Sequence, residues 1–281
     1  MKILLTGAKG QLGRCFQDRL PSEWEIWATD CDELDITDIG QVEQAVEHFQ
    51  PDAIVNAAAY TAVDKAESEP ELADLINVAG PANLASVANK QHIRLVHVST
   101  DYVFDGKATQ PYTETSSTNP LSVYGRTKLA GEQVVMKTAP DSIIVRTAWV
   151  FSEYGNNFVK TMLRLAKERD TLSIVNDQRG CPTYAGDLAQ AIIELLQQQA
   201  KGEIYHYCGD REVSWYEFAE VIFDVAANKS VLAKRPILAP ITTEQYPTPA
   251  HRPGFSTLAC NNVKQLSIDL SNWEKALEKV I

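Results

Sequence analysis

The sequence predicts an α/β fold, a doubly wound parallel sheet with a smaller C-terminal lobe. Three observations predict it. Short apolar runs alternate with helical stretches from residue 2 to about residue 169, and a glycine-rich turn joins the first run to the first helix. Beyond Arg169 the alternation thins and the composition changes. With 281 residues, 44% of them hydrophobic, the chain can bury a sizeable core.

The elements follow in order. Residues 2–6 form a short apolar run suited to a buried parallel strand. It leads into a turn holding Gly7, Gly10, Gln11, Leu12 and Gly13, and then into helix-like residues 14–20. Glycines let the backbone turn tightly and approach a pyrophosphate, whose charge faces the helix N-terminus. An ordinary strand-to-helix turn is the plainer reading of Gly-x-x-Gly-x-x-Gly. Its place between the first strand and the first helix points instead to Rossmann-type dinucleotide binding. Residues 24–29 read as the second strand, ended by Asp30. An acid about 20 residues past the glycines can hydrogen-bond an adenosine ribose, though it can equally cap a helix or loop. No arginine directly follows Asp30, which favours NADH, while Lys9 or Arg14 keeps NADPH open. Asp35 and Ile36 fall in a loop placed to border the adenine.

A polar helix over 39–49 precedes the third strand, 53–56, which runs into Ala57, Ala58 and Ala59. Small residues there let a cofactor pass close to the backbone, and they also suit plain helix–sheet packing. Residues 69–90 form a long helical stretch with an interruption expected at Gly80-Pro81. Residues 93–99 give the fourth strand, 122–137 a helix, 143–146 a strand and 157–168 an amphipathic helix. Next come a loop over 177–184, a helix over 187–199, a strand over 204–207 and a helix over 215–226. The proline-rich run 236–255, which carries Arg252, is extended and irregular and could line a ligand cleft. A helix over 272–280 closes the chain. Residues 1–170 are assigned mainly to the nucleotide-binding core and 171–281 mainly to a substrate-binding lobe, with segments expected to interleave.

The chemistry concentrates between Val98 and Lys128. A strand ends in Ser99, Thr100, Asp101 and Tyr102, and Tyr124 and Lys128 stand four residues apart on the next helix. That spacing puts a phenol and an ammonium on one helical face. An unperturbed tyrosine has a pKa near ~10, so a nearby cation is needed to make it a useful acid near neutrality. Alone, Tyr124 reads as a packed aromatic and Lys128 as a surface charge. Together with Thr100 and the N-terminal glycine turn they assemble a proton-transfer site.

A net charge of −11 without a Lys/Arg run argues against nucleic-acid binding. No apolar run approaches the ~20 residues of a membrane span, and the apolar start is too short for a signal peptide. The five cysteines (Cys15, Cys31, Cys181, Cys208, Cys260) lack zinc-knuckle or redox-pair spacing. Free thiols in a reducing cytoplasm are expected, and no metal ligand set is read from them.

The chain resembles the extended short-chain dehydrogenase/reductase superfamily, and within it the dTDP-4-dehydrorhamnose reductases. The resemblance runs through residues 4–13, 55–67, 99–104, 124–132, 146–149, 155–158 and 252–254. It implies a catalytic trio at Thr100, Tyr124 and Lys128, with Asp101, Tyr102, Trp149 and Arg252 toward the sugar. It also implies NADH or NADPH as hydride donor, and reduction of the 4-keto group of a dTDP-sugar to give dTDP-L-rhamnose for surface polysaccharides. Several relatives hold Mg²⁺ at a dimer interface with glutamates. Here those places carry Cys15 and Gly186, neither a hard-metal ligand, which counts against the metal and leaves a homodimer open. Related 4,6-dehydratases need an Asp-Glu pair after the threonine, whereas Tyr102 stands in the glutamate's place. A 4-epimerase with tightly held NAD⁺, and a non-catalytic subunit resembling the methionine adenosyltransferase β subunit, are the remaining alternatives.

Overall fold

A computed structural model describes residues 1–281. Lys2–Thr6 (β1) enters the glycine turn and Gln11–Asp18 (α1). Glu25–Thr29 (β2), Ile39–Phe49 (α2) and Ala53–Asn56 (β3) follow. The short helices Val63–Ala66 (α3) and Pro70–Asp74 (α4) lead through one π-helical turn, Leu75–Ala79, into Gly80–Gln91 (α5). Arg94–Thr100 (β4) ends in the 3₁₀ turn Asp101–Val103, and a long loop precedes Val123–Thr138 (α6) and Ile143–Thr147 (β5).

The interruption expected at Gly80-Pro81 takes the form of a π turn just before it, and the helical stretch runs on without a break. Pro81 has no N–H to give the Asn77 carbonyl one turn back, and a π turn placed just before it absorbs the mismatch. The released Asn77 oxygen faces Gly131 of α6, where a Cβ would sit 2.2 Å away.

Val150–Phe151 (β6), Phe158–Glu168 (α7), Thr171–Val175 (β7), Arg179–Gly180 (β8) and Thr183–Tyr184 (β9) come next. Ala185–Gln197 (α8), Ile204–His206 (β10), Val213–Ser214 (β11) and Trp215–Asn228 (α9) follow them. Ile237–Ile241 (β12), Asn261–Gln265 (α10) and Trp273–Val280 (α11) complete the chain.

Six strands form one parallel sheet in the order β10-β5-β4-β3-β1-β2. The order reverses at β1/β3, so the crevice for a ligand opens at the carboxyl ends of those strands. Both faces are covered, which is why the strands read as unbroken apolar runs. Successive residues enter different cores. Ile3 and Leu5 pack with Leu12 and Phe16 of α1 and with Leu188 and Ile192 of α8. Leu4 packs on the other face with Val42 and Val46 of α2 and Leu84 of α5.

A separate core joins Phe151, Val159, Leu172, Phe218, Phe223 and Trp273. This second core draws on β6 and α7 from before residue 170, while α8 and β10 return to the main sheet. The parallel pair β7 and β12 falls where the sequence reads as irregular, because Pro240 sits inside β12 opposite Ile174. No helix is long and apolar enough to cross a membrane.

Candidate active site

The glycine turn is built for close backbone approach. Gly7 has φ +72°, and a Cβ there would lie 2.6 Å from the Ala58 nitrogen and 2.7 Å from the Ala57 carbonyl carbon. A Cβ on Gly13 would lie 2.2 Å from the Gly7 oxygen, whereas one on Gly10 would meet that oxygen only at 3.3 Å. Gly10 opens α1 with no side-chain cap and no acid in the first turn. The first amides of α1 therefore face outward without a protein partner, a cradle that suits a pyrophosphate. Ala57 donates to the Thr6 carbonyl at 3.1 Å, which seats residues 57–59 beside this turn.

Asp30 stands at the end of β2 and accepts the Lys9 and Cys31 amides, each at 2.9 Å. Burial works to raise this carboxyl, but those two bonds outweigh it and hold the pKa below its usual value. Lys9 is engaged by Asp32 at 2.9 Å and Glu33 at 3.2 Å. Arg14 donates to the Lys9 carbonyl at 3.2 Å. Asp35 accepts both the amide and the hydroxyl of Thr37.

Three positions that the sequence assigns to the cofactor have side chains engaged elsewhere in the protein. Ile36 is buried in the core against Gly80 and not laid open along the loop, because its apolar side chain fills the gap that the glycine leaves. Gln11 turns its side chain to Ser152 at 3.1 Å and Asn157 at 2.9 Å, tying the glycine turn to the loop after β6. Leu12 packs in the main core.

Thr100 ends β4, and its hydroxyl donates to the Asp101 carboxylate at 3.0 Å while accepting the Tyr102 amide at 3.2 Å. Tyr124 lies in the first turn of α6, which is capped by Ser122. Burial pushes its phenol up to about 12; the Thr100 hydroxyl pulls it down and the Asp101 charge pushes it up again. The lowering expected from Lys128 is thus replaced by a rise. The reason is geometric, since the Lys128 ammonium donates to the Val98 carbonyl at 2.7 Å. Burial lowers Lys128 to about 8, partly offset by Glu132 one turn further along α6. Thr100, Asp101, Tyr102 and Tyr124 are brought together, with the two phenol rings edge-to-face at 5.4 Å.

Trp149 adopts φ +50° and stacks flat on Trp215 at 3.5 Å. Gly180 makes room for it, as a Cβ there would lie 2.7 Å from the indole. Arg252 forms a bidentate pair with Asp64, at 2.9 and 2.7 Å, and so pins the proline-rich run to α3. That pair occupies the guanidinium expected to face a ligand.

Several polar groups that support the site carried little signal in the sequence. Asn56 accepts the Thr6 hydroxyl at 2.7 Å and the Ala58 amide at 3.1 Å, and it bonds His97 at 3.0 Å. Asn77 holds both the amide and the carbonyl of Tyr60 and reaches Thr127 at 3.1 Å. Glu132 and Arg146 pair at 2.6 Å with both side chains only 3% exposed, and Ser99 donates to the same carboxylate. A carboxylate and an arginine 14 residues apart in sequence give no periodic pattern to detect.

The whole chain, residues 1–281, matches the family described as RmlD substrate binding domain. A dTDP-4-dehydrorhamnose reductase of Aggregatibacter actinomycetemcomitans is 47% identical, over 99% of this chain and 98% of the relative. The chain belongs to the dTDP-4-dehydrorhamnose reductase family. A crystal structure of a dTDP-4-dehydrorhamnose reductase from Clostridium acetobutylicum superposes with a TM-score of 0.94. Its identity is 41%, over 100% of this chain and 98% of that one. Another, from Bacillus anthracis in complex with NADP, gives 0.94 at 40% identity, over 99% and 98% of the two chains.

The Mg²⁺ that the family resemblance implies does not fit the residues present. Cys15 is fully buried, and burial pushes its thiol up to about 12, so it is protonated and soft. At Gly186 a Cβ would lie 2.1 Å from the Arg19 guanidinium, which donates to the Tyr184 hydroxyl at 3.0 Å. A cation already fills the space a second glutamate would need.

Proposed function

We propose that this member of the dTDP-4-dehydrorhamnose reductase family reduces the 4-keto group of dTDP-4-dehydro-L-rhamnose, giving dTDP-L-rhamnose for polysaccharide biosynthesis. The observation that carries the reading is the juxtaposition of Thr100 with the Tyr124 phenol. A glycine cradle into which only small residues fit supports the cofactor side of the reading.

NAD(P)H, when bound, supplies the hydride. Gly7, Gly10 and Gly13 admit its pyrophosphate to the N-terminus of α1, Asp30 takes ribose hydroxyls, and residues 57–59 line its path. Tyr124 gives its proton to the oxygen that gains charge at C4, and Thr100 orients that oxygen by a hydrogen bond. Lys128, whose ammonium is bonded to the Val98 carbonyl two residues before Thr100, would hold the nicotinamide-side ribose. Residues 1–170 serve mainly the cofactor and residues 171–281 mainly the sugar nucleotide, with Trp149 crossing between the two cores.

The test is an assay with the dTDP-4-keto sugar, following NADH and NADPH oxidation separately. Substrate-dependent oxidation that Tyr124→Phe abolishes supports the reading, and no oxidation with either cofactor sinks it.

A further inference from the structure

Asp101 is 2% exposed, yet one of its carboxylate oxygens, Oδ2, is buried without a hydrogen-bond partner. Its other oxygen takes the only proton that Thr100 has. A hydroxyl carries one proton and two lone pairs. One lone pair of Thr100 is used by the Tyr102 amide. With Asp101 ionised, the Thr100 proton is therefore committed to the carboxylate and cannot also reach a substrate oxygen or the Tyr124 phenol.

We propose that Asp101 is a positioning residue that works as a neutral carboxylic acid, giving its own proton to Thr100 so that the Thr100 hydroxyl turns toward Tyr124 and the keto oxygen. The inference rests on the reductase reading above and adds to it a direction for the hydrogen bonds.

Electrostatics support the same arrangement. Burial raises Asp101 to about 6, against the opposing pull of the nearby Ser256 hydroxyl, which donates to the Arg179 carbonyl, and of Thr100 and neighbouring amides. The titratable groups facing it are Tyr102 on its own turn and Tyr124 on α6. Beyond Tyr102 lies the mutually paired Arg252 and Asp64. The Asp101 charge opposes ionisation of both tyrosines. A Tyr124 that has given up its proton is an anion in the same buried space, and a neutral Asp101 removes that repulsion. A bound sugar nucleotide displaces water and brings negative charge, and both favour the neutral acid further.

The experiment compares wild type, Asp101→Asn and Asp101→Ala across roughly pH 5–7, the range in which such a carboxyl titrates and which stays below the Lys128 value. An asparagine amide can donate to Thr100 at every pH. Wild-type kcat should fall as pH rises and the carboxyl ionises. Asp101→Asn should remove that limb while restoring kcat to within about fivefold, whereas Asp101→Ala should lose about thirtyfold or more in kcat with KM nearly unchanged. Infrared difference spectra between low and high pH should show a protonated carboxyl signal in wild type that Asp101→Asn lacks. An Asp101→Asn enzyme that keeps the limb, or that loses mainly in KM, overturns the proposal. In that second case the carboxylate would simply accept a sugar hydroxyl. A wild type without turnover refutes the reductase reading instead, which the Asp101 variants cannot mimic.

Discussion

The Lys128 ammonium is bonded to the Val98 carbonyl at 2.7 Å, on the strand that delivers Thr100 two residues later. The lysine is thus part of the frame of the site before any ligand arrives. Its pKa is lowered to about 8 by burial, so the native state releases its proton before the unfolded chain does. Between that value and the ordinary 10.5 the unfolded state binds more protons, and stability rises with pH; below about 8 the full cost of the buried charge is present. Lys128→Met removes this dependence. Urea unfolding at pH 8 and 10.5 should show the wild type gaining about 3 kcal/mol relative to the variant.

Tyr124→Phe deletes the proposed acid and leaves the ring, its contact with Tyr102 and the cradle in place. Turnover should fall about 10²- to 10⁴-fold, the usual weight of a general acid, with NAD(P)H affinity within about twofold. Stopped-flow turnover and a cofactor fluorescence titration check both parts. Thr100→Val should act in the same direction, since it removes the hydroxyl proposed to orient the oxygen.

The glycines of the turn differ in what they tolerate. Gly13→Ala drives a methyl group to 2.2 Å from the Gly7 carbonyl oxygen, where only backbone movement can relieve it. Cofactor affinity should weaken tenfold or more, about 1.4 kcal/mol or above. Gly10→Ala meets the same oxygen at 3.3 Å and should cost no more than a few-fold. Calorimetric titration of the two variants compares them directly.

Arg252 and Asp64 form a half-exposed pair, 24% and 40% by side chain. Screening limits its worth to about 1 kcal/mol, and a double-mutant cycle with Arg252→Gln and Asp64→Asn should return a coupling of that size. Its salt and pH dependence are also set. Arg252 lowers the Asp64 carboxyl most, against burial. The contribution is therefore present above the ordinary carboxyl pKa of 3.8, and it is lost as pH falls below it through the folded value.

Glu132→Gln leaves Arg146 buried with its charge uncompensated. A loss of about 3–5 kcal/mol in unfolding free energy is expected, larger than for any exposed pair in the protein. Chemical denaturation of that variant beside Arg146→Met, which removes the cation instead, gives the comparison.

Where local chemistry decides the structure, the sequence is easy to read. The parallel strands are apolar runs because both faces of the sheet are covered, and the glycine turn is marked by Gly7 and Gly13, where a side chain would meet backbone. The Ser122 cap and the four-residue interval place Tyr124 and Lys128 on one side of α6. What stays hidden depends on partners far apart in the chain. Nothing around Lys128 announces that Val98 holds its ammonium, and nothing around Arg252 announces Asp64, 188 positions away. The π turn is a milder case. Pro81 signals a disturbance, but only the approach of Gly131 shows why the helix absorbs it without breaking.

The return of β10 to the edge of the main sheet also bears on how the protein is made. As the chain leaves the ribosome, residues 1–170 can pair five strands. The outer edge of β5 and the apolar flank of α1 stay bare until α8 and β10, residues 185–206, have emerged. Synthesis therefore passes through a period in which the first 170 residues exist without the last strand of their sheet. A stall or truncation in that window leaves a sticky sheet edge, and growth of aggregates by strand addition is the hazard that completing residue 206 removes.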